Sequence, residues 1–313
     1  MMMRDDYITK VIAAILHRKG VPADLAMKCL HHIGTHRFNN EGEILDFITD
    51  SVNSKKIISM EDVSVGFSTV EQHASLGIDM IDISNEKYPV SLKMIDKPPV
   101  LFYFRGDIDI LSLGPGVSVV GSRDISENGK EIAKRITCRL VQEDFVIVSG
   151  LAIGVDAIAH DSCIKSGGKT IAVLANGLDK ALPKQNSMIG DEILDSGGAW
   201  LSEYPIGIKP FRHFFVQRNR IQVGLSAGTV IIEAALGSGT MTQADFCTKA
   251  NRPLYAVVPN SPENALALHC EGTQKLVNDG QAKPLRSKDD YAEMISQMKI
   301  SKERLFHKEA SLF

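Results

Sequence analysis

Apolar positions in the first 75 residues recur at helical spacing. In DYITKVIAAILHRKG, Ile8, Val11, Ile12, Ile15 and Leu16 share one face, and Gly20 ends the run. PADLAMKCLHHIG, opened by Pro22 and closed by Gly34, predicts a second short helix, and EGEILDFITDSV a third. Residues 1–75 thus read as a small helical bundle. From Leu76 to Ser84 the pattern alternates, and PPVLFYFRGD is a β-rich run introduced by two prolines, as suits the edge of a sheet. After residue 116 short Val/Ile-rich runs such as GVSVVGS, FVIVSG, KTIAVLAN, TVIIEA and PLYAVVP alternate with helical stretches. Strands of this kind, apolar on both faces, predict an α/β fold with a mostly parallel sheet covered by helices on both sides.

Three segments follow: a helical domain over 1–75, a sheet domain over 76–284, and a charged tail rich in Lys and Glu over 285–313. The length of 313 residues accommodates one large domain and a smaller one. No apolar run approaches the roughly 18 residues that span a bilayer. The start, MMMRDDYITK, carries charges where a signal peptide is apolar, so the expected location is the cytoplasm. Cys29, Cys138, Cys163, Cys247 and Cys270 are scattered and form no CxxC pair, which argues against disulfides and zinc. His17, His31, His32 and His36 lack a completing carboxylate or thiolate in sequence, so no metal is expected. Net charge is −3, which leaves nucleic-acid binding to a local patch.

In parallel sheets ligands bind outside the carboxyl ends of the strands. Those ends read Gly121-Ser122-Arg123, Ser149-Gly150-Leu151-Ala152, Asn176-Gly177-Leu178-Asp179, Ser202-Glu203-Tyr204-Pro205 and Glu233-Ala234, with Gly237-Ser238-Gly239-Thr240 beyond. Glycines let backbone approach a ligand, and the helices that follow offer free N–H groups to an anion. Ser122, Ser149, Ser238 and Thr240 add hydroxyls. The segment Lys209–Arg220, KPFRHFFVQRNR, interleaves four Lys/Arg and His213 with Phe211, Phe214 and Phe215 and contains no acid. Cations there suit phosphates and exposed aromatics suit unpaired bases. The phenylalanines are expected in the core; Arg218-Asn219-Arg220 is expected to open a helix at the strand ends.

A dinucleotide enzyme is disfavoured, because Gly114 and Gly116 precede the strand instead of following it. The GxxxxGK[ST] phosphate loop is absent.

Taken together, GSR ending at Arg123, SGLAIGVDAIAH ending at His160, GGKTIAVLANGLD ending at Asp179, PKQN ending at Asn186, LSEYP ending at Pro205, RNRI ending at Ile221 and EA…SGT ending at Thr240 resemble the DprA/Smf (DNA-processing protein A) family over about residues 76–280. The resemblance implies an extended Rossmann-like domain preceded by a SAM-like helical domain. It also implies a homodimer that binds single-stranded DNA and helps load RecA in natural transformation or recombination, with no cofactor and no catalysis. Too few residues follow 284 for the winged helix of some relatives. The family's DNA-contacting arginine falls on Arg123, its lysine on Lys184 beside Asn186, and its RNR cations on Arg218 and Arg220, around Asn219. The phosphate-binding set is then Gly121, Ser122, Arg123, Ser149, Gly150, Lys184, Asn186, Arg218, Asn219, Arg220, Ser238, Gly239 and Thr240.

The chain departs from the family pattern at Ile153, usually arginine, at Val216-Gln217, and at Asn176. Two other functions compete. A LOG-type nucleotide phosphoribohydrolase carries PGGxGTxxE, whereas this chain reads ALGSGTMTQA, with Gln243 near the glutamate position. Asp156, Glu203 and Glu233 are the remaining acids for such a reading; Asp156 and His160 are expected to cap and pack. The other is an interaction module that has lost DNA binding.

Overall fold

The structure, a computed structural model, describes residues 5–52 and 57–307. Four helices come first: α1 (Asp5–Arg18), α2 (Ala23–His32), α3 (Glu41–Val52) and α4 (Met60–Ser75). The last was not separated in the sequence reading. Its start is fixed by a capping box, in which the Ser59 amide donates to Asp62 at 2.9 Å.

Next come β1 (Asp79–Asp82), α5 (Val90–Lys93), β2 (Leu101–Gly106), β3 (Gly116–Val120), α6 (Glu127–Gln142), β4 (Ile147–Ser149), α7 (Val155–Lys165), β5 (Thr170–Leu174) and α8 (Ser187–Asp195). The chain continues with β6 (Ala199–Ser202), α9 (Arg212–Gly224), β7 (Ser226–Ile231), α10 (Gly239–Lys249), β8 (Leu254–Val257), α11 (Glu271–Asn278), β9 (Lys283–Leu285) and α12 (Tyr291–His307).

Among the described residues all nine strands form one sheet, in the order β1-β2-β6-β5-β4-β3-β7-β8-β9. β1 and β2 pair antiparallel, and β2 joins β6 antiparallel; every other pairing is parallel. The proline-led run is therefore an edge extension, as its composition predicts. From β3 the chain builds outward through β4, β5 and β6, then returns so that β7 lies on the other side of β3. The strand order reverses between β3 and β7, and that switch point opens a crevice at the carboxyl edge.

The bundle is no detached lobe. Ile8, Ile12 and Ile15 of α1 belong to the same buried apolar cluster as Tyr103 of β2 and Leu201 of β6.

The expectation of a charged tail from residue 285 is corrected. α12 packs on the sheet through Met294, Met298 and Leu305, all buried. The Met298 sulfur lies so near Gly228 of β7 that a Cβ there would stand 2.3 Å from it. Glu293, Lys299 and Glu303 line the outer face, so composition alone hid a helix with apolar residues four and seven positions apart. Residues 308–313 of the expected tail lie outside the described residues.

Candidate nucleic-acid interface

The turn after β3 is held from three sides. A Cβ on Gly121 would stand 2.6 Å from the Val155 side chain and 3.0 Å from the Glu233 carbonyl, so only glycine lets β3 end there. The Ser122 hydroxyl donates to the Asp124 carbonyl at 2.6 Å, and the Ser122 carbonyl accepts from the Val155 amide at 3.1 Å. Gly154, at φ +89°, crosses beneath; a Cβ on it would meet the Ser122 carbonyl at 2.3 Å. These constraints present Arg123 in the open, with its guanidinium 5.4 Å from the centre of the Phe215 ring. Ile153, where the family pattern has arginine, is 44% exposed beside this turn.

Across the switch point, the N-terminus of α10 faces the same turn. The Thr240 hydroxyl donates to the Gly121 carbonyl at 3.3 Å. Gly237 and Gly239 have open space where a Cβ would lie, and the Ser238 hydroxyl is buried without a partner. The Gly239 and Thr240 amides, at the start of an 11-residue helix, are thus offered beside Arg123, while the Met241 amide is bonded to the Ser238 carbonyl at 3.1 Å.

Lys184 is exposed on a short 3-10 turn, Lys184–Asn186. The turn is tied to the loop after β4, because the buried Asn186 side-chain amide donates from Nδ2 to the Leu151 carbonyl at 2.8 Å. Asn186 therefore holds the lysine's loop and does not face solvent.

Three further members of the expected set are corrected. Ser149 is buried, and its hydroxyl donates to the Val119 carbonyl at 2.7 Å, cross-bracing β4 and β3. Arg218 and Arg220 also lie inside. The triplet does not open a helix: α9 starts at Arg212, so both arginines sit in its interior and point under the strand ends. Arg218 donates to the Val173 carbonyl and lies against Gly150, where a Cβ would overlap its guanidinium. Burial lowers its pKa, and nearby Asp156 counters that. Asp156 in turn accepts from the Gly150 amide at 3.1 Å; burial raises its pKa and Arg218 opposes the rise. Arg220 pairs with Glu203 at 2.5 Å and donates to the Lys97 and Gln217 carbonyls, each at 2.9 Å. Asn219 faces α10, donating to the Gly239 carbonyl at 3.2 Å.

The phenylalanines are likewise not core. Phe211 is 58% exposed, and Phe214 and Phe215 are half-buried. Tyr204 stacks on Phe214 at 3.9 Å between ring centres, and Phe211 and His213 meet the same ring edge-on at 5.3 and 4.4 Å. Lys209 and Arg212 are exposed around them. The first turn of α9 is therefore an accessible aromatic platform with basic neighbours. Helical periodicity is too weak a guide in a helix that is apolar and basic all round.

The acids are engaged. Glu233 is fully buried and accepts from the Ser126 hydroxyl at 2.6 Å, the Ser126 amide at 3.0 Å and the His269 amide at 3.2 Å. His269 was not singled out by sequence, which carries no local signal for it. Its ring, bonded to the Asp124 carbonyl and near Glu233, has a raised pKa. Gln243 is buried and donates to the Ser118 hydroxyl at 3.4 Å. Among the described residues, no group of three or more His, Cys, Asp or Glu side chains is placed to hold a metal ion, and no helix is long and apolar enough to cross a membrane.

Comparison with known proteins places this geometry. Residues 79–296 match the family model of DNA recombination-mediator protein A. Protein Smf of Synechocystis is 38% identical over 229 residues, covering 72% of this chain and 56% of that protein. DNA processing protein DprA of Bacillus subtilis is 34% identical over 224 residues, covering 72% of this chain and 73% of that one. Among solved structures, DNA processing protein A of Streptococcus pneumoniae superposes with a TM-score of 0.68 at 29% identity, covering 94% of this chain and 98% of that one. The Helicobacter pylori protein, solved for its single-stranded DNA binding mode, gives a TM-score of 0.62 at 28% identity, covering 72% and 97%. The extended Rossmann-like fold expected from the sequence is thereby established.

Proposed function

Because the chain belongs to the DNA recombination-mediator protein A family, we propose that it binds single-stranded DNA along the carboxyl edge of its sheet and catalyses no reaction on it. A role in DNA processing during recombination follows from the family and its relatives. The observation that carries the finer reading is Arg123. It is the exposed cation of a turn held rigid by Gly121 and Gly154, between free α10 amides and the aromatic platform of α9. Phosphates would bind at Arg123, Lys184 and the Gly239 and Thr240 amides, and unpaired bases would stack on Phe211 and Phe214. Contacts of this kind read backbone and ring faces, so binding tolerates any sequence and weakens with salt.

The same reading includes a homodimer in the cytoplasm that assists RecA in recombination or competence for natural transformation. The non-catalytic part is supported by the acids: Glu203 is spent on Arg220, Glu233 on Ser126 and His269, and Asp156 on the loop after β4. Gln243 leaves the LOG-type glutamate position without a carboxylate.

Salt-titrated binding of a labelled oligonucleotide, single-stranded against double-stranded, tests the proposal. Preference for the single strand with a steep salt dependence is expected. Equal affinity for the duplex would remove the role of the aromatic platform.

A further inference from the structure

The opposite edge of the sheet holds cations that the DNA-binding reading does not use. Where β8 and β9 begin, their amino ends and α12 enclose a cavity of about 410 Å³. Arg252 lies in its wall, 6% exposed. It donates to the Ser91 carbonyl at 3.0 Å, while its Nε is buried without a partner. Arg304 reaches in from α12 and donates to the Asn251 carbonyl at 2.6 Å, next to Arg252 in the chain. The two guanidiniums repel, and burial with that repulsion brings the Arg252 pKa down to about 10.

Their surroundings do not compensate them. No aspartate or glutamate is among the described residues lining the cavity, and Lys283 in the same wall is itself paired with Glu293 at 2.7 Å. Two hydroxyls in the wall, Tyr255 at 1% and Ser301 at 3% exposure, are also buried without a hydrogen-bond partner. Buried arginines are ordinarily paired, and buried hydroxyls ordinarily bonded. Here three buried donors without partners and two guanidiniums border one pocket.

We propose that this pocket binds a phosphate group, as free phosphate or as a small phosphomonoester, through Arg252 and Arg304 with the Ser301 and Tyr255 hydroxyls. A dianion of tetrahedral oxygens offers acceptors to all four groups and neutralises both cations, whereas a carboxylate supplies one charge in one plane. The volume has room for a phosphate and for the body of a small phosphomonoester. Because Arg252 precedes β8 and Arg304 belongs to α12, the bound group fastens that helix to the sheet.

The test uses the full chain and inorganic phosphate, with glycerol phosphate as a second arm, each against chloride at matched ionic strength. Calorimetric titration and thermal unfolding are read together, since a ligand of the folded state raises the melting temperature with its concentration. Saturable binding by wild type is expected, with the tighter of the two ligands identifying the source. Arg304→Gln, an exposed site that leaves folding intact, weakens it about tenfold, the loss of one charge-assisted pair, and Ser301→Ala weakens it less. Arg123→Gln leaves it unchanged, and Arg304→Gln keeps wild-type affinity for single-stranded DNA. Absence of saturable binding, equal binding by Arg304→Gln, or loss of binding in Arg123→Gln each overturns the proposal; the last places phosphate at the carboxyl edge instead.

Discussion

The backbone amide of Ile206 donates to Nε2 of His73 at 3.0 Å, joining the loop after β6 to helix α4. The other ring nitrogen donates to the Thr69 carbonyl at 2.7 Å, which fixes the neutral tautomer, and the ring stacks on Tyr103 at 4.3 Å. Burial lowers the His73 pKa, in keeping with a ring that must accept at Nε2. A second histidine, His17, bonds the Glu203 carbonyl at 2.9 Å. The helical bundle thus holds both ends of the segment that carries Tyr204, the partner of Phe214 in the aromatic platform.

His73→Phe keeps a ring against Tyr103 but removes the acceptor. Leaving the Ile206 amide unpaired is expected to cost about 1–3 kcal/mol, read as a lower urea midpoint at unchanged slope. Affinity for single-stranded DNA should fall as Tyr204 loses its support. Wild-type midpoint and affinity together would show that the loop is held by other contacts.

Acid sensitivity is expected from His160. Thr170 gives its hydroxyl proton to the Ile147 carbonyl at 2.8 Å, so it accepts from His160 Nδ1 at 2.7 Å, and the buried Nε2 has no partner. Burial, assisted by Arg218, lowers the ring's pKa from 6.5 to about 3. The unfolded chain therefore takes up a proton below pH 6.5 that the folded chain refuses. This group's contribution is complete above pH 6.5 and declines as pH falls toward 3, at up to about 1.4 kcal/mol per pH unit. Urea midpoints between pH 7 and 4 should fall less steeply in His160→Gln than in wild type. Parallel profiles would refute this assignment.

The sheet was legible because its strands are apolar on both faces and its turns carry glycine, so period and punctuation agreed from Gly116 to Val257. The direction of a single arginine was not. Arg218 and Arg123 look alike in sequence, yet one lies under the strand ends against Gly150 and the other over Phe215. Which applies depends on where α9 begins, five residues before Gln217 and in a stretch with no cap. Phe211 at the helix start was assigned to the core for the same reason. α12 was missed because its charged residues outnumber the methionines that face the sheet.

That difference can be tested at the Glu203–Arg220 pair. With side chains 15% and 9% exposed, the pair is largely removed from water. Glu203→Gln leaves a buried guanidinium without its counter-charge and is expected to cost about 3–5 kcal/mol of stability. If Arg220 were instead a phosphate ligand restrained by Glu203, the substitution would release it and strengthen DNA binding. Denaturation and oligonucleotide titration on the same preparation separate the two, and tighter binding with intact stability would return Arg220 to the interface.

Exposed cations should differ from buried ones in how they alter salt dependence. Each phosphate neutralised on a single strand contributes about 0.7 to the slope of log affinity against log salt. Arg123 and Lys184 are exposed at the carboxyl edge, whereas Arg220 is bonded to Glu203, Lys97 and Gln217. Arg123→Gln and Lys184→Gln should therefore each lower the slope by about 0.7 while leaving the urea midpoint near wild type. Arg220→Gln should lower the midpoint and leave the slope in place, provided the titration is done where the protein is folded. A slope that responds to Arg220→Gln but to neither exposed cation would mean that DNA reaches beneath the strand ends, with α9 displaced to admit it.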